Sequence, residues 1–453
     1  MNQIVYEILD KIEHTGYSAY LAGGSIRSHL FNEKINDYDI ATDAPFKVLN
    51  ELFGAVDISK NFDLNVFLIE VQGYSFEIAQ FRGDEDTLNT DKDAPISSFK
   101  KDAEHRDFTI NALFMDKHGT IIDCVNGIDD IKNKILRCVG DPQIRFNEDA
   151  LRIMRAVRFL VKFDLTFDKN TENVLRKSVS ALKSIRVERI TQEIEKAMDL
   201  GSEKFATYVT RLFNLGILKV ILPEVATLNN FEYAINFNLN GYEESLLGNK
   251  NTLLKHVVEC LRVNESLDKN VYWAILLRDV GKPEVFKVRK KNGKIKWVYQ
   301  LHSIPGAVIA LNIAKRLKLS KKTTNICVFC VKNSSKLYKS TKFSVYKLYK
   351  LYTHRYFAEL FAVSISGILS RSGKKAITDA KNLENNMQEL EKKLPIVEKI
   401  NSEFMKHNLR KEVEPGKKYG NILEMLKKFA CNIAIDIIDV EDFAYSLDID
   451  SIE

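Results

Sequence analysis

Two aspartates separated by one residue carry the strongest chemical signal in this chain. Asp37 and Asp39 lie shortly downstream of a Gly23-Gly24 pair. Residues two apart on a β-strand point to the same face, so both carboxylates would project side by side. Like charges this close repel unless a cation lies between them, and carboxylate oxygens suit Mg²⁺, which proteins usually hold together with substrate phosphates. The pattern therefore predicts a magnesium-dependent nucleotide-transfer site.

The glycine pair predicts where a phosphate would bind. Gly23-Gly24-Ser25-Ile26-Arg27 lies between a predicted strand and a predicted helix. Glycine lets the backbone approach a phosphate, and a helix N-terminus offers free N–H groups with a favourable dipole. Arg27 would add charge-assisted hydrogen bonds. A Gly-Gly turn alone is more often structural, so it is the spacing to the aspartates that makes Gly24 and Arg27 candidate nucleotide ligands.

Glu77 is a third candidate carboxylate. It lies in Phe76-Glu77-Ile78, among apolar neighbours on a predicted central strand, where a charge needs a partner. Two interpretations stay open. Glu77 would either join Asp37 and Asp39 near the metal and help to activate an attacking hydroxyl, or it would form a structural ion pair.

The run Glu104-His105-Arg106-Asp107-Phe108-Thr109-Ile110-Asn111 is more specific than simple alternation of polar and apolar residues. Arg106 would hold a phosphate or a ribose. Asp107 and Asn111 would fix the local backbone or the sugar hydroxyls.

Asp149 and Arg152 are spaced to read a base. Residues three apart are neighbours on a helix, so this pair is either a surface salt bridge or a template. Cytosine and adenine present an amino donor beside a ring-nitrogen acceptor, so a carboxylate beside a guanidinium matches C and A and opposes U and G. One such match contributes roughly 1–3 kcal/mol of discrimination. Arg155 and Arg158, at further three-residue steps, would meet the triphosphate.

The elements that must position these residues divide into a strand-rich part and a helical part, so the predicted class is α+β. Turn signals bound the strands of the first part, and a polar loop covers residues 83–104. From Pro142 onward the apolar period is almost wholly helical. The predicted ranges are a helix over 2–14, strands over 17–22 and 37–41, a hairpin over 65–81, strands over 108–116 and 120–123, and helices over 144–163, 187–200, 205–215 and 253–263.

The bulk composition is that of a soluble chain of several domains. At 453 residues, two to four domains are expected, and a net charge of +6 permits a polyanionic partner without demanding one. No apolar stretch approaches about 20 residues and the N-terminus lacks a signal-peptide pattern, so neither a membrane span nor a secretory signal is expected. The six cysteines are sparse, which favours a reducing, cytoplasmic compartment, and Cys327 and Cys330 are expected to be core thiols of one helix.

Taken together, these motifs resemble the class II tRNA nucleotidyltransferase (CCA-adding enzyme) and bacterial poly(A) polymerase family, within the polymerase-β-like nucleotidyltransferases. The segments that carry the resemblance are Leu21-Ala-Gly-Gly-Ser-Ile-Arg27, Asp37-Tyr-Asp39-Ile-Ala-Thr42, Phe76-Glu-Ile-Ala-Gln-Phe-Arg82, Arg106-Asp-Phe-Thr-Ile-Asn-Ala-Leu113, Gly140-Asp-Pro, Arg145-Phe-Asn-Glu-Asp149-Ala-Leu-Arg152 and Arg186-Val-Glu-Arg-Ile190.

The resemblance implies a nucleotidyltransferase head over residues 1–140, then an all-α neck over 141–200, a body over 201–330 and a tRNA-binding tail over 331–453. It also implies site roles. Asp37 and Asp39 would hold Mg²⁺, and Asp149 and Arg152 would select CTP or ATP. The remaining nucleotide ligands would be Gly24, Arg27, Arg106, Arg155 and Arg158.

The chain departs from the family pattern at several positions. Ser28 stands where the family usually has Asp, and His105 stands where it usually has Arg, which puts details of phosphate binding in doubt. Further along, His256, Arg278-Asp279 and His302 resemble a degenerate HD domain. Arginine has no lone pair free for a metal, so a structural helical body is expected there instead of a phosphohydrolase.

The function that the resemblance implies is transfer of C, C and A from CTP and ATP to a tRNA 3′ end. Close alternatives use the same chemistry: a CC-adding enzyme, an A-adding enzyme or a poly(A) polymerase. The loop over residues 83–104 argues against CC-only activity, because CC-adding relatives lack much of it. A more distant alternative is a non-catalytic RNA-binding protein. The lysine-rich region 321–350 is either a solvated helix face or a phosphate-contacting surface, and the sequence indicates no oligomeric state.

Overall fold

The computed structural model places seven strands in one sheet and helices over most of the remaining chain, which confirms the α+β class. It describes residues 3–33, 35, 38–59, 65–81, 99–232, 247, 251–291, 294–338, 345–371, 374–434 and 436–452. The chain divides into two compact units, residues 1–193 and 194–453. The finer division into head, neck, body and tail stays a prediction.

The first unit contains a mixed sheet with strand order β3-β4-β5-β2-β1-β6-β7. Its pairings are antiparallel except for β2 with β5, which run parallel in the centre of the sheet. Two short strands, β8 and β9, pair separately. The strands are β1 Ala19–Ala22, β2 Asp39–Thr42, β3 Val56–Asp57, β4 Val66–Val71, β5 Tyr74–Gln80, β6 Leu113–Met115, β7 Ile121–Asp123, β8 Ile135–Leu136 and β9 Thr166–Phe167.

Nine helices accompany these strands in the part of the first unit that the structure describes. One face of the sheet is closed by small and aromatic side chains, among them Ala22, Ala41 and Phe114. The helices are α1 Gln3–Glu13, α2 Gly24–Leu30, α3 Phe46–Phe53, α4 Phe99–Glu104, α5 Gly127–Lys132, α6 Pro142–Glu148, α7 Leu151–Lys162, α8 Lys169–Ser178 and α9 Val187–Met198, which continues into the second unit.

Three predicted elements of this unit differ from the structure. The polar loop predicted over residues 83–104 is wrong in its last part, where the helix α4 forms at Phe99–Glu104, and residues 83–98 lie outside the described residues. The strand predicted over 108–116 is wrong in its first half, where a 3-10 turn at Thr109–Asn111 precedes the short strand β6. The single helix predicted over 144–163 is broken at Asp149, whose extended backbone (φ −148°, ψ 101°) separates α6 from α7. Its side chain accepts a hydrogen bond from the Leu151 amide at 3.1 Å, which is the local alternative to the helical bond that Asp residues favour.

The second unit is mainly helical. One element was missed by the sequence analysis: an antiparallel hairpin of β10 Lys287–Lys291 and β11 Lys294–Val298. The signal was available, since Asn292-Gly293 is a typical two-residue hairpin dipeptide. The helices are α10 Ser202–Asn214, α11 Leu218–Ile221, α12 Pro223–Thr227, α13 Leu253–Arg262, α14 Lys269–Leu277, α15 Ser303–Arg316, α16 Lys321–Tyr338, α17 Val345–Tyr352, α18 Phe357–Leu369, α19 Lys374–Lys399, α20 Ser402–Asn408, α21 Lys417–Asn432 and α22 Ile437–Ser446.

Cys327 and Cys330 are buried, free thiols on α16, as the sequence predicts. Burial raises the pKa of Cys327 to about 12, so this thiol is protonated at neutral pH. Within the described residues, none of the helices combines the length and the apolar character that crossing a membrane requires.

Candidate active site

Two of the three predicted carboxylates lie side by side at the centre of the seven-stranded sheet. Asp39 begins β2 and is in direct register with Glu77 on β5. Register partners in a parallel pair point to the same face, and both side chains are exposed. The third, Asp37, lies outside the described residues. Glu77 thus lies beside Asp39, which favours the interpretation that it belongs to the carboxylate cluster.

The Gly23-Gly24 turn lies directly against this cluster. A Cβ built on Gly24 would be 3.5 Å from Asp39 Oδ2 and 3.6 Å from a terminal nitrogen of Arg27. Gly23 adopts φ +60° with ψ −111°, a conformation that favours glycine. A Cβ on Gly23 would lie only 2.5 Å from an Arg106 guanidinium nitrogen. The missing side chains therefore let two arginines and a carboxylate approach one backbone turn.

Arg27 is buried in α2 and held in place from several sides. Its guanidinium donates to Asn111 Oδ1 and lies 4.9 Å from the ring centroids of both Phe159 and Phe163. Burial lowers the pKa of Arg27 to about 10, so the side chain remains charged at neutral pH. The structure thus keeps a fixed positive charge beside the glycine turn, as a phosphate contact requires.

Arg106 is fixed by the segment that precedes it. Its Nε and one terminal nitrogen donate to Asp102 Oδ2 at 2.9 and 2.8 Å, and the other terminal nitrogen donates to the Asn111 carbonyl at 3.1 Å. The guanidinium also lies 4.9 Å from the Phe114 ring centroid. Arg106 is therefore oriented toward Gly23 by contacts that leave little side-chain entropy to lose on binding a ligand.

Asp107 is buried and forms an ion pair with Arg155, whose side chain is about one-third exposed. Arg155 donates from Nε to Asp107 Oδ2 at 2.8 Å, while Asp107 Oδ1 accepts from the Asn111 amide and the Phe108 backbone, each at 2.8 Å. Burial alone would raise the pKa of Asp107, but the charge of Arg155 and these hydrogen bonds hold it at about 2. Asp107 and Asn111 thus fix the local backbone, one of the two roles that the sequence left open.

Three of the predicted arginines lie close to the same aromatic ring. Arg27, Arg155 and Arg158 lie 4.9, 5.3 and 4.5 Å from the centroid of Phe159 on α7. Arg158 is also held by Glu193, whose Oε2 accepts from its Nε at 2.7 Å. The aromatic face offsets part of the repulsion among like charges. The result is a concentrated positive field, suited to a polyphosphate.

The structure places Asp149 and Arg152 at the helix break, but their side chains have different partners. Arg189 on α9 donates to both oxygens of Asp149, at 2.8 and 3.3 Å. Arg152 donates to Glu148 Oε2 at 2.5 Å and to the carbonyl of His105 at 3.2 Å. Of the two interpretations that the sequence left open, the structure does not support the helix-face salt bridge between Asp149 and Arg152, because Asp149 lies outside the helix and pairs with Arg189. The Asp149 carboxylate is oriented by Arg189, and the Arg152 guanidinium is oriented by Glu148 and the His105 carbonyl.

Both positions that depart from the family pattern make backbone contacts in the structure. Ser28 is buried in α2, where its carbonyl accepts from the Glu33 amide at 2.8 Å. His105 contributes its backbone carbonyl to Arg152, a contact that the identity of its side chain does not change.

Several residues that shape the site were not assigned a role from the sequence: Glu148, Phe159, Arg189, Glu193 and Asp102. Arg189 lies in the segment Arg186-Val-Glu-Arg-Ile190, which the resemblance had included without a role. Glu148 and Asp102 each lie four residues before the arginine that they bind, a spacing that the sequence itself shows. Phe159 and Glu193 carry no such signal, because they contact arginines that are distant in sequence.

A metal at this site would depend on the carboxylates at the start of β2 and the middle of β5. Among the described residues, no group of three or more His, Cys, Asp or Glu side chains is placed to hold a metal ion. Asp39 and Glu77 nevertheless share one face at one level, and adjacent exposed carboxylates fit a divalent cation with oxygen preference.

Comparison with protein families confirms the resemblance found in the motifs. Residues 19–137 match the model of the poly A polymerase head domain, and residues 164–228 match that of the probable RNA and SrmB-binding site of polymerase A. The first match includes the glycine turn and all three carboxylates. The second begins just beyond α7.

Curated relatives are similar over the first part of the chain. The CCA-adding enzyme of Lactobacillus helveticus is 41% identical over 197 residues, which is 43% of this chain and 49% of that enzyme. The CCA-adding enzyme of Limosilactobacillus reuteri is 37% identical over 202 residues, 44% of this chain and 50% of that enzyme. The chain thus spans about half the length of the curated relatives it matches.

Solved structures extend the likeness of fold over nearly the whole chain. The Bacillus stearothermophilus CCA-adding enzyme in complex with CTP has a TM-score of 0.64 at 22% identity, covering 94% of this chain and 92% of that one. The Thermotoga maritima CCA-adding enzyme complexed with tRNA has a TM-score of 0.62 at 19% identity, covering 97% and 94%. At these identities the likeness shows a shared fold.

Proposed function

We propose that this chain, which carries the poly A polymerase head domain, is a magnesium-dependent nucleotidyltransferase that adds C, C and A to the 3′ end of tRNA from CTP and ATP. The observation that carries the proposal is the convergence of Asp39 and Glu77 with the Gly24 turn and the arginines around Phe159. The curated relatives, which are CCA-adding enzymes, support the same reaction, and the solved CCA-adding enzymes share the fold.

The reaction transfers a nucleoside monophosphate. The tRNA 3′-oxygen would form a bond to the α-phosphorus of the nucleotide while the bond to pyrophosphate breaks and the hydroxyl proton leaves. Glu77, which is exposed beside Asp39, would take up that proton or help to hold the cation. When bound by Asp37 and Asp39, Mg²⁺ would supply charge stabilisation at the α-phosphate and the leaving group.

The triphosphate would lie along the glycine turn and the arginine cluster. Gly24 permits close backbone approach, and Arg27 supplies a fixed positive charge beside it. Arg155 and Arg158 extend this positive surface along α7. Since each guanidinium already has a protein anchor, the site needs little rearrangement to receive a phosphate chain.

The base would be read by Asp149 and Arg152. Asp149 supplies the acceptor and Arg152 the donor that match the amino and ring-nitrogen positions of cytosine and adenine. Arg189 and Glu148 are positioning residues, because they hold the two reading groups at the ends of α6 and α7. No nucleic-acid template is needed in this scheme.

The remaining features of the proposal concern partner and location. The lysine-rich helices α16 and α17 are candidate tRNA contacts, and RNA affinity should then fall steeply with added salt.

A cytoplasmic location agrees with six free cysteines.

The decisive experiment uses three tRNA acceptors that end before CCA, after C, or after CC. Each is incubated with the protein and Mg²⁺, with CTP and ATP offered separately and together. CCA addition predicts C incorporation on the first two acceptors and a single A on the third. The Asp39→Asn variant is the inactive control.

Other outcomes identify the alternatives. Addition of A only to the CC-ended acceptor indicates an A-adding enzyme, and addition that stops after CC indicates a CC-adding enzyme. Long A tracts indicate a poly(A) polymerase. Salt-sensitive tRNA binding without any incorporation by the wild type would replace the proposal with a non-catalytic RNA-binding function.

A further inference from the structure

Arg145, in the last turn of α6, is the one charged residue of the segment 145–152 that the proposed reaction does not use. Its backbone carbonyl nevertheless contacts both base-reading residues. It accepts from Arg152 Nη1 at 3.0 Å and from the Asp149 amide at 3.4 Å. The backbone at residue 145 is therefore a common anchor of the two residues proposed to read the base.

The side chain of Arg145 reaches Arg152 through Glu148. Arg145 Nη2 lies 2.9 Å from Glu148 Oε1, and Arg152 Nη1 lies 2.5 Å from Glu148 Oε2. Each carboxylate oxygen thus has its own guanidinium. The terminal torsion of a glutamate has a broad energy minimum, so a single ion pair leaves the carboxylate plane able to turn. Two ion pairs, one on each oxygen, fix that plane and with it the direction from which Arg152 is held.

Burial strengthens this bridge of three side chains. Arg145 and Arg152 are 11% and 12% exposed, against 36% for Glu148. Ion pairs that are shielded from water are weakened less by salt than pairs between fully exposed side chains. The shared carboxylate also lies between two guanidiniums that would otherwise repel each other. Removing the charge of Arg145 therefore changes the electrostatic environment of Arg152.

A purely structural role for Arg145 is the simpler alternative. A cation in the last turn of a helix interacts favourably with the helix dipole, and residues three apart pair readily on a helix surface. Neither effect requires the guanidinium to be buried. Nε and Nη1 of Arg145 are buried, and among the described residues neither atom has a hydrogen-bond acceptor. Because buried donors without acceptors destabilise a fold, stability alone does not account for an arginine at this position.

We propose that Arg145 is a positioning residue for nucleotide choice: it holds Glu148, and Glu148 holds the Arg152 guanidinium in the orientation that matches cytosine or adenine. The inference rests on the proposed base-reading function and gives Arg145 no contact with the nucleotide. Arg152 also donates to the carbonyls of Arg145 and His105, and these contacts do not depend on the Arg145 side chain. Changing that side chain should therefore make base reading less selective without abolishing it.

The test measures incorporation of CTP and of UTP by the full chain with Mg²⁺, on the tRNA acceptor that ends before CCA. Arg145→Met removes the charge and keeps a long side chain. We expect the ratio of kcat/KM for CTP to kcat/KM for UTP to fall about three- to tenfold, near the lower end of the coupling found between contacting residues. The fall should come from CTP alone, because only a matching base uses the oriented guanidinium.

The thermal midpoint separates positioning from a structural role. The midpoint of Arg145→Met should lie within about 3 °C of the wild type, because loss of the ion pair is offset by removal of two buried donors without acceptors. A structural role predicts a larger fall in the midpoint, together with equal losses of kcat/KM for CTP and UTP.

Three further variants test the route through Glu148. Arg145→Lys keeps a charge beside Glu148 and should restore part of the CTP-to-UTP ratio. Arg145→Met combined with Glu148→Gln should have the same ratio as Glu148→Gln alone, because Arg145 acts through Glu148. Arg176→Met is the matched control: it removes an equal charge from the exposed pair with Glu172 in α8, 2.7 Å apart, and should leave the ratio unchanged.

The outcomes distinguish this inference from the proposed function. If the wild type prefers CTP and Arg145→Met has the same ratio, the positioning role is overturned and base reading stands. Equal losses for CTP and UTP with a lower thermal midpoint overturn the positioning role as well and make Arg145 structural. A wild type that incorporates CTP and UTP equally, or incorporates neither, overturns base reading itself and the role of Arg145 with it.

Discussion

Asp39 and Glu77 are direct register partners across the parallel pair of β2 and β5, so their exposed carboxylates share one face of the head sheet. Two like charges held this close repel each other unless a cation lies between them. This relationship supports the proposal that Glu77 takes part in binding the metal, a question that the sequence leaves open.

Glu77→Gln should therefore raise the Mg²⁺ concentration needed for half-maximal nucleotide incorporation by about tenfold or more, because one carboxylate at the cation is lost. Nucleotide incorporation measured over a series of Mg²⁺ concentrations gives this half-maximal concentration. Glu70→Gln is the control, since Glu70 is an exposed carboxylate on the adjacent strand β4 that is not paired with Asp39. A Mg²⁺ dependence in Glu77→Gln equal to that of the wild type would assign Glu77 to a structural role.

The base-reading pair predicts a change of nucleotide preference. The double variant Asp149→Arg with Arg152→Asp presents donor and acceptor in the reverse order. The kcat/KM for UTP and GTP should therefore rise relative to the kcat/KM for CTP and ATP. A loss of one to two orders of magnitude in the CTP-to-UTP ratio of kcat/KM corresponds to the roughly 1–3 kcal/mol of one bidentate match. Competition assays with mixed nucleotides measure this ratio.

The control for that exchange reverses another charge pair of the same unit. Glu172→Arg with Arg176→Glu inverts an exposed pair within α8, where the two side chains are 2.7 Å apart. Its nucleotide preference should equal that of the wild type. An unchanged C and A preference in the Asp149 and Arg152 double variant would contradict the template role.

Gly23→Ala should destabilise the head and weaken nucleotide binding. Its positive φ is strained for alanine, and the new methyl would collide with the Arg106 guanidinium. We expect a loss of roughly 2–4 kcal/mol in the free energy of unfolding, from strain plus overpacking. Chemical denaturation measures it.

Gly54→Ala provides the comparison for strain alone. Gly54 has φ +65° with open space around the built Cβ, so its cost should be only about 1 kcal/mol. Adding Arg106→Ala to Gly23→Ala should recover part of the stability by removing the collision. If Gly23→Ala and Gly54→Ala lower the free energy of unfolding equally, the close approach of Arg106 does not contribute to the cost of Gly23→Ala.

The Asp107–Arg155 ion pair should contribute to the free energy of unfolding at neutral pH but not in acid. The pKa of Asp107 is depressed from 3.8 to about 2, so its contribution is present above pH 4 and is lost as the pH falls toward 2. That contribution is on the order of 2 kcal/mol. The difference in unfolding free energy between wild type and Asp107→Asn should therefore shrink between pH 5 and pH 2.5.

Urea denaturation at a series of pH values measures this difference. Asp129→Asn is the control, because Asp129 is a largely exposed carboxylate of the same unit with only a distant lysine partner. Its difference from wild type should be small at every pH. A wild-type advantage over Asp107→Asn that does not depend on pH would contradict the assigned pair.

The sequence predicted α1, β1, β2, the β4–β5 hairpin and α9, because their apolar periods are local. It did not predict the short elements β3, β8 and β9. The carboxylates and the arginines were predicted from their spacing. The sequence could not show that Asp149 interrupts a helix, since that depends on a local hydrogen bond to Leu151 and on Arg189 from α9. Nor could it place three arginines on Phe159, because the ring is an ordinary core residue by its sequence context.

The parallel pairing of β2 and β5 also bears on the order of folding. The β4–β5 hairpin closes through a short turn, whereas joining β5 to β2 must close a loop of some thirty residues and lose correspondingly more chain entropy. The repelling carboxylates of Asp39 and Glu77 thus meet at the entropically costlier step of sheet formation. Their repulsion opposes a contact that the local hairpin does not require.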